Sequence, residues 1–192
     1  MGVHMLLYWT AADGAARREA YDTLADAIAC LGSSPAAAER WSAQAAALRR
    51  VAERGADDLP SARAAGGEAV WLHRVAISDE PDQLFLLSKA SRQVVQAGAS
   101  MQAFLDSLAM FKAPQQSFLG IAVDVAYLPL DDAATAAPML QDLADVLREA
   151  VAAAGGRLRQ VPDSAAAFQL PATHGARHRA AQYVQLQQLF GE

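Results

Sequence analysis

Residues 118–128 constrain the fold more than any other stretch of this sequence. Leu119, Ile121, Val123, Val125 and Tyr127 alternate along it with the period of a strand, and Phe118, Gly120, Ala122 and Ala126 leave the opposite face apolar as well. A strand apolar on both sides is expected in the middle of a sheet with cover above and below, and Pro129 ends it. The exception within it is Asp124. A carboxylate in such a setting is costly unless it is paired or hydrogen-bonded. Arg74 interrupts a second apolar strand over residues 69–77 in the same way, so an Asp124–Arg74 ion pair is expected if the two strands are neighbours. Exposure at a strand edge, local hydrogen bonds, or an acid/base role with His73 are the alternatives.

A first strand is expected over residues 5–9. Residues 1–4 read as added ahead of a natural start at Met5, which gives His4 no functional weight. Helical spacing follows, with Tyr21, Leu24, Ala25, Ile28 and Leu31 on the inward face. Gly32, Ser33, Ser34 and Pro35 punctuate the chain before a second helix whose inward stripe is Ala37, Trp41, Ala45, Leu48 and Ala52, stopped by Gly55. Residues 57–67 carry too many breakers for a regular element and are expected to form a surface loop.

In the strand over 69–77, Trp71, His73, Val75 and Ile77 share one face and Leu72, Arg74 and Ala76 the other. Ser78-Asp79-Glu80-Pro81 resembles a helix start, with Leu84, Leu87, Val94 and Val95 as its apolar positions. After Gly98, Met101, Phe104, Leu105, Leu108 and Phe111 resume the pattern. An amphipathic helix over 137–154 turns Leu140, Leu143, Ala144, Leu147, Val151 and Ala154 inward before the Gly155-Gly156 stop. Short strands over 158–161 and 166–170 precede a last helix, capped by Thr173 and ending near Phe190. The pattern predicts an α/β fold: one domain over residues 5–190, its mixed four- or five-stranded sheet covered by helices.

At 192 residues and 53% hydrophobic content the chain can build a core of its own. Its formal net charge of -5 has the wrong sign for nucleic acid, although Arg49-Arg50 and Arg177-His178-Arg179 are local basic clusters. Cys30 is a lone cysteine in an apolar helical stretch, expected to be a buried small hydrophobe in a reducing compartment. With neither a signal-peptide core nor an apolar run of membrane-spanning length, a cytoplasmic protein that does not enter the membrane is expected.

Catalytic signatures are missing from the sequence: it holds no glycine-rich phosphate loop, nucleophile elbow or paired-cysteine motif. His174 and His178, at helical i,i+4 spacing, can reach one ion. Zinc needs further ligands, and Gly175 stands where a metalloprotease helix has Glu. They are therefore read as exposed or capping histidines, and no metal or cofactor is expected. Tyr8, Trp9, Trp41 and Trp71 are each read first as core side chains, and as partner-binding anchors wherever they reach the surface. Acidic loop residues, Asp57, Asp58, Asp79, Glu80, Asp82, Asp131 and Asp132, can complement a basic partner.

The leading expectation is a non-enzymatic domain that binds another protein, of the kind of a bacterial immunity protein, an inhibitor or a dedicated chaperone. A small-molecule-binding protein or enzyme, with a pocket near the strand ends formed by Tyr8, His73, Asp124, His174 or His178, is the alternative. A structural homo-oligomer assembled through the helix over 101–111 is the third.

Overall fold

Strand β1 (Val3–Ala11) organises the fold, because its two faces serve two separate cores. The computed structural model describes residues 2–11, 20–30, 43–49, 71–107, 120–130, 132–152 and 155–191; of residues 47–49, 71, 106, 107 and 191 it describes the backbone alone. Val3, Met5, Leu7, Trp9 and Ala11 project to one side of β1, into a core with Leu24 of α1 (Ala20–Ala29) and Ala136, Leu140, Ala144, Leu147 and Val151 of α3 (Ala133–Val151). Leu6 projects to the other side, against Ala180, Ala181 and Val184 of α4 (Ala176–Gly191). This is the period-two geometry of a strand used on both faces.

β1 is the central strand of a three-stranded sheet, between β6 (Ile121–Tyr127) and β7 (Gly156–Gln160). A second sheet runs in the order β2 (Ala43–Arg49), β3 (Trp71–Ile77), β4 (Gln83–Ser88), β5 (Gln93–Gly98). Each pairing in the two sheets is antiparallel. The fold is thus α/β, as the sequence predicts, but the described strands divide between two sheets. Helix α4 lies between them and contacts strands of both. On its far side Val75, Ile77, Phe85, Leu87 and Val94 of the second sheet complete the other core. A helix clasped on two sides needs no single apolar stripe, and the small Ala180 and Ala181 on it are both fully buried. Each fully buried large side chain here, Leu7 and Phe85 among them, contributes about 1.5–3 kcal/mol. Helix α2 (Ser100–Ser107) follows β5.

Several expectations change. Residues 43–49 form a strand, not part of a helix: pairing to β3 from Ala43↔Ile77 to Arg49↔Trp71 overrides the helical propensity of an alanine-rich segment. The expected helix carrying Leu84, Leu87, Val94 and Val95 is the β4–β5 hairpin, turned through Arg92 at φ 54. β6 is an edge strand of its sheet. Ile121, Val123, Val125 and Tyr127 do face the core, while Ala122 and Ala126, on the other side, are small enough to stand exposed. Residues 165–169 form turns in place of a strand.

Tyr21 and Ala25 of α1 are exposed, and so is Leu143 of α3; the inward stripe of α3 is narrower than its leucines imply. Cys30, just past the end of α1, is exposed and not the buried small hydrophobe expected. Thr173 pairs in an isolated bridge with Asp132, and α4 begins after Gly175. Trp41, the loop over 57–67, Leu108, Phe111 and Ala154 lie outside the described residues.

Candidate functional site

The polar residues that the two cores leave over gather where β1, β6 and α4 meet. Register brings His4 opposite Ala126 and Leu6 opposite Asp124, so His4 and Asp124 lie diagonally across the β1–β6 ladder, on its α4 side. His4 Nδ1 donates to Asp124 Oδ1 at 2.9 Å. From α4, Tyr183 Oη donates to Asp124 Oδ2 at 2.9 Å, and Arg179 Nη2 stands 3.7 Å from the same oxygen. Arg179 Nη1 meanwhile donates to Asp79 Oδ2 at 2.6 Å, in the turn after β3. One guanidinium therefore joins carboxylates attached to both sheets.

The segment preceding α4 adds two imidazoles. The backbone N–H of His4 donates to His174 Nε2 at 3.2 Å. His178 receives the Gly175 N–H on Nδ1 at 3.2 Å and donates from Nε2 to the Pro171 carbonyl at 2.9 Å. His174 and His178 stack with ring centroids 4.7 Å apart, and His4 stacks on His174 at 6.1 Å. Gln182 Nε2 completes the set with a hydrogen bond to the His4 carbonyl at 3.2 Å.

No protein-family model, curated protein or solved structure matches this chain. The chemistry of the cluster is therefore read from its geometry.

Burial pushes the Asp124 carboxyl upward, but the His4 hydrogen bond and charge, the Tyr183 hydroxyl and the Arg179 guanidinium outweigh it and hold the group below its ordinary value. Burial, followed by the Asp124 charge, raises the Tyr183 hydroxyl, so it remains a donor. For Arg179 burial acts downward, yet Asp79 and Asp124 lift it above its ordinary value and keep it charged. His174 is lowered to about 4, first by burial and then by His178 and His4, which leaves it neutral and able to accept the His4 N–H.

An open cleft of about 680 Å³ runs beside this cluster, lined by His4, His174, His178, Gln160 and Gln182 together with the apolar Val3, Met5, Ala137 and Leu140. The Asp124–His4 pair has the arrangement that orients a general base, with a carboxylate holding Nδ1 and leaving Nε2 as the proton-transfer atom. Both oxygens of Asp124, both nitrogens of His178 and the acceptor of His174 are nevertheless spent on contacts within the chain. Among the described residues no group of three or more His, Cys, Asp or Glu is placed to hold a metal ion.

Of the residues singled out in the sequence, Asp124, His174 and His178 come together here. The expected partner of Asp124 does not join them: Arg74 is on β3, in the other sheet, and neither strand is the other's neighbour. His73 faces the opposite side of α4, buried near Gln187, with burial and then the Lys89 charge lowering its pKa. His174 and His178 are buried, not exposed, although His178 does cap the first turn of α4. Trp9 is 2% exposed and part of a core, so it supplies no surface anchor. Tyr8 is half-buried, edge-on to Phe190 at 6.2 Å. Trp41 and the Trp71 side chain lie outside the described residues. Arg177 is exposed while His178 and Arg179 are buried, so that triplet makes no basic patch.

Sequence reasoning missed His4, and it missed Arg179 and Tyr183 as partners of Asp124, placing Arg179 only in a basic cluster. A signal for the last two was present: they are i,i+4 neighbours in an alanine-lined helix, a spacing that lets both reach one acceptor. His4 was passed over on the supposition that the natural chain starts at Met5.

Among the described residues no helix is long and apolar enough to cross a membrane. Helix α3 presents a different feature. Asp132 caps it, accepting the Thr135 N–H at 2.8 Å. Beside its buried stripe, Met139, Leu143 and Val146 stand 55%, 41% and 46% exposed.

Proposed function

We propose that this chain is a non-enzymatic protein-binding domain that acts by masking or stabilising a partner. The observation that carries this reading is α3, which is apolar on two adjoining sides of which the fold buries one. Exposed large apolar side chains are ordinary when scattered, but three in line on one helix form a surface suited to another protein. The polar cluster supports the same reading from the other direction. Its hydrogen-bonding capacity is largely turned inward, as in a structural network that pins β1 to α4. Native mass spectrometry of the affinity-captured chain from its source cells tests the proposal. A stoichiometric second polypeptide is expected; a free chain, or a chain carrying only a small molecule, overturns it.

One observation favours a second reading. His4, His174 and His178 line the same cleft, as expected of a site for a small ligand with an apolar body and a polar end. Ligand-observed NMR of a fragment library against the wild-type chain, with competition lost in His4→Ala, would establish it.

A further inference from the structure

The apolar residues on the outer side of α3 are spaced as a coiled-coil seam. Met139, Leu143, Val146 and Ala150 follow one another at intervals of four, three and four residues, the alternation of d and a positions in a heptad. In that register Asp142 and Glu149 fall at the g positions and both are exposed. The e positions are Leu140 and Leu147, buried against β1 and its neighbours. Asp145, at c, is occupied by Arg148. The seam therefore has one wall made by the protein's own core and one wall of carboxylates.

We propose, building on the protein-binding reading, that this seam of α3 docks an amphipathic helix of a partner protein, with apolar a and d residues and Lys or Arg on the flank facing Asp142 and Glu149. The heptad spacing selects a helix as the occupant, since knobs from a helix fit holes repeating every three and four residues. The charges select its chemistry. They also disfavour a second copy of this chain. Antiparallel seams would oppose g carboxylates to g carboxylates, and parallel seams would oppose them to the buried leucines.

The probe is a fluorescein-labelled three-heptad peptide with Leu at a and d and Lys at e and g, compared with a version carrying Glu at e and g. Fluorescence anisotropy with the full chain is expected to show micromolar binding of the Lys peptide and at least about tenfold weaker binding of the Glu peptide. Leu143→Asp should weaken the Lys peptide at least about tenfold. The double variant Asp142→Lys, Glu149→Lys, both at exposed positions, should reverse the preference between the two peptides. Absence of Lys-peptide binding, or binding unchanged in both variants, overturns the proposal. So does concentration-dependent dimerisation abolished by Leu143→Asp, which would make a second copy the occupant.

Affinity capture separates this idea from the broader one. A natural partner retained equally by wild type and Leu143→Asp overturns the seam and leaves the protein-binding reading standing. No polypeptide retained by the wild type overturns that reading itself.

Discussion

The backbone N–H of His4 is held by the ring of His174, 170 residues further along the chain, at 3.2 Å. The bond requires His174 to present a lone pair at Nε2, so it exists only while that ring is neutral at this atom. It ties the start of β1 to the segment that leads into α4, and the Asp124 carboxylate secures β1 to α4 itself through His4 Nδ1 and Tyr183.

Stability should therefore fall as the solution is acidified. His174 has a folded pKa of about 4 against an ordinary 6.5. The unfolded chain takes up its proton first, so this group's contribution is full above pH 6.5 and is lost progressively down to about 4. The loss is about 2 kcal/mol after allowance for solvent screening. His73, also lowered, acts in the same direction, and Asp124 extends the loss below its ordinary 3.8. Urea unfolding at a series of pH values checks the slope, which His174→Gln should flatten between pH 6.5 and about 4.

Asp124→Asn should destabilise the fold by about 2–3 kcal/mol, because it leaves Arg179 and His4 facing a neutral group in a largely buried setting. Tyr183→Phe should cost about 1 kcal/mol. A double-mutant cycle of the two substitutions is expected to show a coupling of roughly 1 kcal/mol. Additive effects would mean that the hydroxyl does not serve Asp124.

Two leucines four residues apart on α3 should behave differently. Leu147 is buried in the core shared with β1, and Leu147→Ala should cost about 2–4 kcal/mol. Leu143 stands outside that core, and Leu143→Ala should change the stability of the isolated chain by no more than about 0.5 kcal/mol. Thermal unfolding of the two variants makes the comparison.

Gly156 opens β7 against the Trp9 indole, and a methyl group built there would run into the ring. Gly156→Ala should destabilise by about 1–3 kcal/mol through overpacking. A blue or red shift of the tryptophan emission in the folded variant would report the displaced ring.

How far the fold could be read from sequence depended on whether a pattern was local. β1, β3, β6 and α3 announce themselves by period, and His73, Val75 and Ile77 point inward as alternation requires. Residues 83–98 did not, because Leu84, Leu87, Val94 and Val95 satisfy helical spacing as well as hairpin pairing. The turn between them also lacks the usual glycine or asparagine: Arg92 takes the positive φ instead. Ala43–Arg49 reads as helix on composition and becomes a strand through its pairing with β3. The cluster around Asp124 was half-legible. Its need for partners followed from its apolar strand, but their identity depended on a ladder register and on a helix more than fifty residues away. Leu143 was misread for a simpler reason: an apolar stripe wider than the core requires looks, in sequence, like core throughout.

The position of α4 also sets an order of events during synthesis. All seven described strands leave the ribosome before this helix does, yet the two sheets meet largely through it. Until α4 arrives, Leu6 on one sheet and Val75, Phe85 and Leu87 on the other are apolar surfaces without their common filling. Until then the nascent chain carries the core between the two sheets half-finished, open to chaperones or to self-association, and completes it only when α4 is made.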